Sequence, residues 1–324
     1  MTVLIGNRRA LLAGQKPLWV PAGGLFAVDF ANNRSWTGRV SGAAAAPLAC
    51  SRASAGFYTK SDLTLFSYGS NVLRYDTATG LLLVEPARTN VIPHSQDQTD
   101  AAYTKDQAAV TGAAAVAPDG TTTACLVVPN TANAPHRIYN NLASVTPAAA
   151  GFFSCFAKAS GYSQVAIREN FIAGNYAVFG LSGAGSVLGT SAGAATITAL
   201  GNGWYYLTWI YTSTLAMTFG FYVMNGWTSG NPQTYNFVGD GTSGAYIWQM
   251  DLHSSITITS PIATVASSAT RAADAVSMTL PAGVGNVDFT FDDNSTQTVA
   301  GASGSFSIPT NLNRPYLKSL VARA

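Results

Sequence analysis

Short runs of β-branched and aromatic residues recur along this chain, each closed by Gly, Asn, Ser or Pro. No apolar face with a 3.6-residue period lasts beyond about two turns. A chain patterned this way has to form sheets. β-Branched and aromatic side chains lose χ1 freedom against the preceding turn of a helix, yet pack well on a pleated surface. The clearest runs are TTTACLVV (121–128), HRIYNN (136–141), GFFSCFAKA (151–159), SQVAIREN (163–170), YAVFGL (176–181), GWYYLTWIYT (203–212), MTFGFYVM (217–224) and GAYIWQMDL (244–252). Runs at spacings of about 10–30 residues, with turn residues between them, predict an antiparallel β-sandwich.

The same pattern, with shorter runs, occupies both ends. GLFAVDF (24–30), DLTLF (62–66) and NVLRYD (71–76) precede the strong strands. YDTATGLLLVE (75–85) reads as a hairpin around Thr-Ala-Thr-Gly, and FTFDDNSTQTV as a hairpin whose turn spans residues 292–295. The predicted organisation is three parts in order: a β-rich N-terminal region over 1–90, a sandwich over 91–280 and a small C-terminal β module over 281–324. In GWYYLTWIYT, Trp204 and Tyr206 share one alternation set, and Tyr205, Trp209 and Tyr211 the other. One set must enter the core; the other must meet a second layer or stand open as an aromatic platform. Trp204, Trp209 and Trp248 lie mid-strand and are assigned to packing. In GFFSCFAKA, Ser154 and Lys158 share a face with Phe152 and Phe156, so that face is mixed.

Composition narrows the function classes. Only 10% of the 324 residues are charged, against about 25% in an average globular chain. The surface must be made of Ser, Thr, Asn, Gly and backbone, a make-up of rigid β proteins. The net charge is +2, and no basic cluster exceeds the pair Arg8-Arg9, so a nucleic-acid footprint is not expected. The apolar runs are too short to span a membrane. Residues 1–24 place two arginines after the first apolar residues, which reads as a structured or docking arm and not as a signal peptide. Three cysteines, with no CxxC, read as free thiols, Cys125 and Cys155 within apolar strands. That usage suits assembly in a reducing cytosol.

Candidates for chemistry are few. Glu85 and Arg88 in GLLLVEPARTN, three apart across Pro86, are expected to pair at the seam between the first two parts. A catalytic carboxylate or a subunit contact are the other readings of Glu85. The one other glutamate is Glu169, and glycoside hydrolysis needs two facing carboxyl groups. Asp240, Asp292 and Asp293 sit where turns want Asp. His94, His136 and His253 lie in no nucleophile-activating context, and zinc-ligand spacing is absent. No enzyme and no cofactor are therefore expected, although Asp97, Asp100 or Asp251 could join backbone carbonyls around a structural calcium ion. Glycan binding calls for an exposed aromatic beside amides and hydroxyls. Trp227 in MNGWTSGNPQTYNF meets that description, with Asn225, Asn231, Tyr222 and Tyr235 around it. The competing reading is that Trp227 anchors its own loop or an interface.

Several stretches also carry a family resemblance. CSRASAGFYTKSD, NVLRYDTATGLLLVEPARTNVIPHSQD, APDGTTTA (117–124), GDGTSGAYIWQMDL (239–252), ATRAAD (269–274) and IPTNLNRPYLKSLVAR stand in this order. They resemble the ordered elements of tailed-bacteriophage virion structural proteins, in which such a block precedes a lectin-like domain. The resemblance implies a concanavalin-like or carbohydrate-module-like jelly-roll sandwich on a tail, fibre or head decoration. It implies residence in the virion after assembly in the bacterial cytoplasm, a homotrimer, attachment to other virion proteins through the N-terminal region, and contact with host-surface polysaccharide. A purely structural assembly role is the alternative, and a capsule depolymerase ranks below both. At SQDQTD and QMDLHSS the chain departs from the acidic residues usual in such proteins.

Overall fold

The computed structural model describes residues 16–324 except 39, 43, 45–46, 61–63, 77–78, 141–150, 170–174, 212–218, 256 and 258. The docking-arm expectation for residues 1–15 thus lies outside the described residues. The protein is all-β, as the runs predict. Among the described residues the helical elements are two 3-10 turns, Gly201–Gly203 and Pro232–Thr234. No helix there is long and apolar enough to cross a membrane.

The chain forms two compact units, and they do not follow the predicted three-part order. One unit gathers residues 1–53, 68–86 and 272–324; the other holds 54–67 and 87–271. The reason lies in the last strand, Tyr316–Arg323. It hydrogen-bonds antiparallel to Gly24–Asp29 on one side and to Asn286–Phe291 on the other. Strands from the predicted first and third parts, Gly24–Asp29 on one side and Asn286–Phe291 with Tyr316–Arg323 on the other, therefore share one sheet. Leu81–Leu83 joins the same strand and pairs with Arg74–Asp76, which completes the predicted hairpin. Gly80 makes its return possible: φ is +64°, and a Cβ would lie 2.1 Å from the Ala31 Cα. The residues after the sandwich return here too. Ala275–Thr279 pairs with Ala49–Ser51 and Ser305–Ser307. Its Val276 and Met278 share a core with Phe26, Val28, Phe289, Leu317 and Leu320.

The larger unit is a sandwich of two six-stranded antiparallel sheets. In one, the order is Tyr103–Asp106, His136–Asn140, Phe219–Met224, Gln164–Glu169, Tyr176–Gly180 and Ser186–Thr190. In the other it is Ala108–Ala115, Ala124–Pro129, Gly244–His253, Gly151–Ser160, Trp204–Tyr211 and Ala194–Ala199. Alternate residues of both sheets face one core: Ile138, Val165, Ile167, Phe179 and Phe221 from the first, Val127, Phe153, Cys155, Leu207, Trp209 and Ile247 from the second. The alternation read in GWYYLTWIYT holds. Tyr205 and Trp209 point into this core, while Trp204 packs on the outer face with Phe156 and Trp248, beside Tyr206. That outer face meets a second layer, since Phe57 and Leu65 of the hairpin strands Gly56–Thr59 and Leu65–Tyr68 cover part of it.

Candidate functional site

The most distinctive charged residues of the sequence are architectural. Asp274 accepts from Arg52 Nη1 at 2.7 Å through Oδ1 and from the Glu85 amide at 2.8 Å through Oδ2. It also pairs with Arg74 Nη2, and Arg74 Nη1 meets Glu85 Oε2 at 2.6 Å. All four side chains are essentially excluded from solvent. Arg52 further donates to the carbonyls of Val72 and Gly69. The partner of Glu85 is thus Arg74, not Arg88, whose guanidinium donates to the Ala87 carbonyl. RAS, NVLRYD, LLLVE and ATRAAD contribute one charge each to a single buried cluster. Separately, Asn90 donates to the Met250 and Ile262 carbonyls and accepts from the Ile92 and Leu252 amides.

The residues expected to hold calcium do not converge. No group of three or more His, Cys, Asp or Glu suited to a metal occurs among the described residues. Asp97 Oδ1 caps the Thr99 amide and hydroxyl, and Asp100 Oδ1 caps the Ala102 amide. Asp251 is wholly buried, accepting from the Ile262 amide at 2.9 Å and Gln249 Nε2 at 3.0 Å. Burial pushes its carboxyl up to about 8, against the opposing pull of those hydrogen bonds and of Arg271. Two of the histidines are tied to backbone carbonyls, His136 to Gln107 and Phe237, His253 to Thr89.

Trp227 is not an open platform either. Its side chain folds back on the outer face of the first sheet, and only 6% of the residue is exposed. The indole N–H donates to the Gly230 carbonyl at 3.0 Å, and the Trp227 amide donates to Gln164 Oε1 at 2.6 Å. The ring packs with Ala166, Val178, Tyr222 and Met224 and meets Tyr176 edge-on. Gly189 leaves the room: a Cβ there would lie 2.7 Å from the indole Cη2. Tyr222 is buried and accepts from Arg137 Nη1 at 2.7 Å. Tyr235 donates to the Asn225 carbonyl, and Asn231 Oδ1 accepts from Arg168 Nε and caps the 3-10 turn. The loop assigned to glycan is held back on the sheet, because the Trp227 ring is buried there and its backbone and Asn231 bond to Gln164 and Arg168.

An open cleft lies instead on the outer face of the second sheet. It encloses about 640 Å³, within the roughly 300–1,000 Å³ usual for small-molecule sites. Ladder register builds its floor. Lys158 stands directly across from Trp204 on one neighbouring strand and from Tyr246 on the other, and cross-strand partners on one face touch. Three segments wall it. The first is the turn 200–204, where the Leu200 amide bonds to the Trp204 carbonyl and Asn202 takes a φ of +58°. The second, the turn 116–120, accepts the Trp204 indole N–H at the Val116 carbonyl, 3.0 Å away. The third is Thr64 with the start of the strand Leu65–Tyr68, held by a bond from the Leu65 amide to the Pro118 carbonyl.

The polar groups of the cleft are unevenly engaged. Asp119 Oδ1 is held by the Thr121 amide and hydroxyl. Lys158 makes no ion pair or hydrogen bond with a described residue. Phe66 is 46% exposed, and the Lys60 ammonium lies 4.1 Å from its ring centroid. Sequence reasoning missed this site. Its one legible sign was the mixed face of GFFSCFAKA, which put a lysine among aromatics. A second cleft, about 480 Å³ and lined by His94, Gln96, Asp97, Thr99 and Thr123 among others, has no Phe, Tyr or Trp among its described lining residues. No protein-family model matches the chain, and no curated protein is significantly similar to it.

Proposed function

We propose that the chain is a structural component of a bacteriophage virion, a fibre, spike or decoration element, whose sandwich contacts glycan on the host surface. The observation that carries the binding part is the outer-face cleft. It combines an exposed aromatic, an ammonium with no partner among the described residues, a side-chain amide and backbone carbonyls in one concavity, which is what a sugar needs for its C–H faces and its hydroxyls. The ordered elements resembling virion proteins support the location, as does a low-charge β architecture. Reading the sandwich as a jelly roll and the assembly as a homotrimer follows from the same resemblance. Several copies would make a weak site effective through avidity. The role is binding, without catalysis.

The test uses the full chain, labelled, on intact bacteria of several surface types, before and after periodate oxidation of their polysaccharide. Saturable binding is expected, lost on oxidation and weakened by Phe66→Ala at unchanged melting temperature. Absence of binding to every strain, or binding indifferent to both changes, would overturn the glycan reading.

One observation favours a second reading, an assembly element with no glycan. Residues 170–239 contain no Asp, Glu, Lys, Arg or His. Within that stretch, Ser186–Thr190 and Ala194–Ala199 are the outer strands of the two sheets on one side. Natural sheet edges are commonly guarded by charge; here Val187 and Leu188 stand exposed instead. A second copy could pair along such an edge without repulsion. Light scattering should then find an oligomer that Leu188→Lys disperses. A wild-type chain that stays monomeric at high concentration ends this reading.

A further inference from the structure

We infer that the outer-face cleft selects an acidic saccharide, with the ligand's carboxylate on Lys158 and its ring against Phe66. This rests on the glycan reading and specifies its ligand class.

The argument starts from charge. Among the described residues the lining holds one ammonium, Lys158 in its floor, while Lys60 lies over the ring of Phe66. The one carboxylate in the lining is Asp119, and its Oδ1 already accepts two hydrogen bonds. Lys158 is the unspent group. It projects from the sheet between Trp204 and Tyr246, its stem beside Gly203, and no described residue pairs with it. A lysine stem lying along apolar neighbours keeps its ammonium at their edge, where an anion meets less competing solvent than on an open surface. In a chain with so few charges, this lysine has no counter-ion among the described residues.

A neutral sugar would leave that ammonium without an ionic partner. A uronic or sialic acid residue supplies a carboxylate acceptor together with an apolar ring face. The remaining groups of the lining, the Asn202 amide and the carbonyls of the turn 118–120, suit the ligand's hydroxyls. Charge-assisted hydrogen bonds are the strong ones, so specificity should rest on Lys158 and contact area on Phe66.

The experiment is calorimetric titration of the full chain with oligogalacturonate, oligomannuronate and an α2,8-linked sialic acid oligomer. Each is set beside its carboxyl-reduced counterpart. The expected result is binding of at least one acidic oligomer, weakened roughly tenfold or more by Lys158→Gln, as for loss of a charged hydrogen bond. Carboxyl reduction should weaken it equally, with the variant indifferent to reduction. Equal affinity for acidic and reduced oligomers, lost in Phe66→Ala but untouched by Lys158→Gln, would overturn the acidic selectivity while leaving the glycan reading in place. No binding of any oligomer, with intact cells also unbound, would overturn both.

Discussion

Asp274→Ala should destabilise the sheet unit built from the two chain ends by at least ~3–5 kcal/mol, the usual cost of breaking a buried ion pair from one side. The expectation comes from counting what is orphaned. Asp274 is the shared partner of Arg52 and Arg74 and also takes the Glu85 amide. Its removal deprives two fully buried guanidinium groups of their common anion and leaves a buried amide unbonded. Glu85→Ala should cost less, because Arg74 keeps Asp274. Urea unfolding of the full chain checks both, with the difference between the variants as the diagnostic. If Asp274→Ala unfolds at the wild-type midpoint, or Glu85→Ala is the worse of the two, the cluster does not hold the unit in this way.

The second large effect concerns pH. Burial raises the Asp251 carboxyl from an ordinary value of 3.8 to about 8. The folded protein therefore binds a proton that the unfolded chain releases across that interval. Stability from this group is fully present below pH about 4 and is lost as pH rises through about 8. Each tenfold difference in proton affinity between the folded and unfolded chain is worth about 1.4 kcal/mol, so the change amounts to several kcal/mol. Asp240, Asp288 and Asp293 are shifted downward by their hydrogen bonds, and Asp288 also by Arg323. Their contributions disappear only on acidification, so melting between about pH 5 and 9 leaves them out. Histidine ordinarily titrates in that window too; the chain has three, and His253 Nε2 lies 3.7 Å from Asp251 Oδ1, so the comparison with Asp251→Asn is what singles out Asp251. The wild-type melting temperature should fall over that range, and Asp251→Asn, which keeps a neutral oxygen acceptor there, should flatten the slope. Parallel slopes for the two proteins would refute the assignment.

Much of the sandwich was legible because its central strands carry their own signal. In GFFSCFAKA and GWYYLTWIYT residue order alone separates Trp204 from Trp209 and groups Lys158 with Phe152 and Phe156, while which set meets the core was decided by packing. The edge strands were not. Ala108–Ala115, Ser186–Thr190 and Ala194–Ala199 are Ala, Gly, Ser and Thr with few large side chains. A strand paired on one side needs no strong apolar face to be held there, so its composition resembles a loop.

What the local sequence determined is therefore the class of element: strands, hairpin turns such as that at residues 292–295, and the absence of long helices among the described residues, all set by side-chain shape within a few residues. Long-range pairing decided the rest. Tyr316–Arg323 joined the two ends of the chain, and Asp274 claimed Arg52 and Arg74 from 222 and 200 residues away. Gly189 gave Trp227 a place to bury itself instead of standing in solvent. Ladder register set Lys158 between Trp204 and Tyr246, and turns distant in sequence closed the cleft around it. Hydrogen-bond register and buried charge act between whichever residues the fold brings together. Their consequences, including a concavity with an unspent charge, exist only in the assembled tertiary structure.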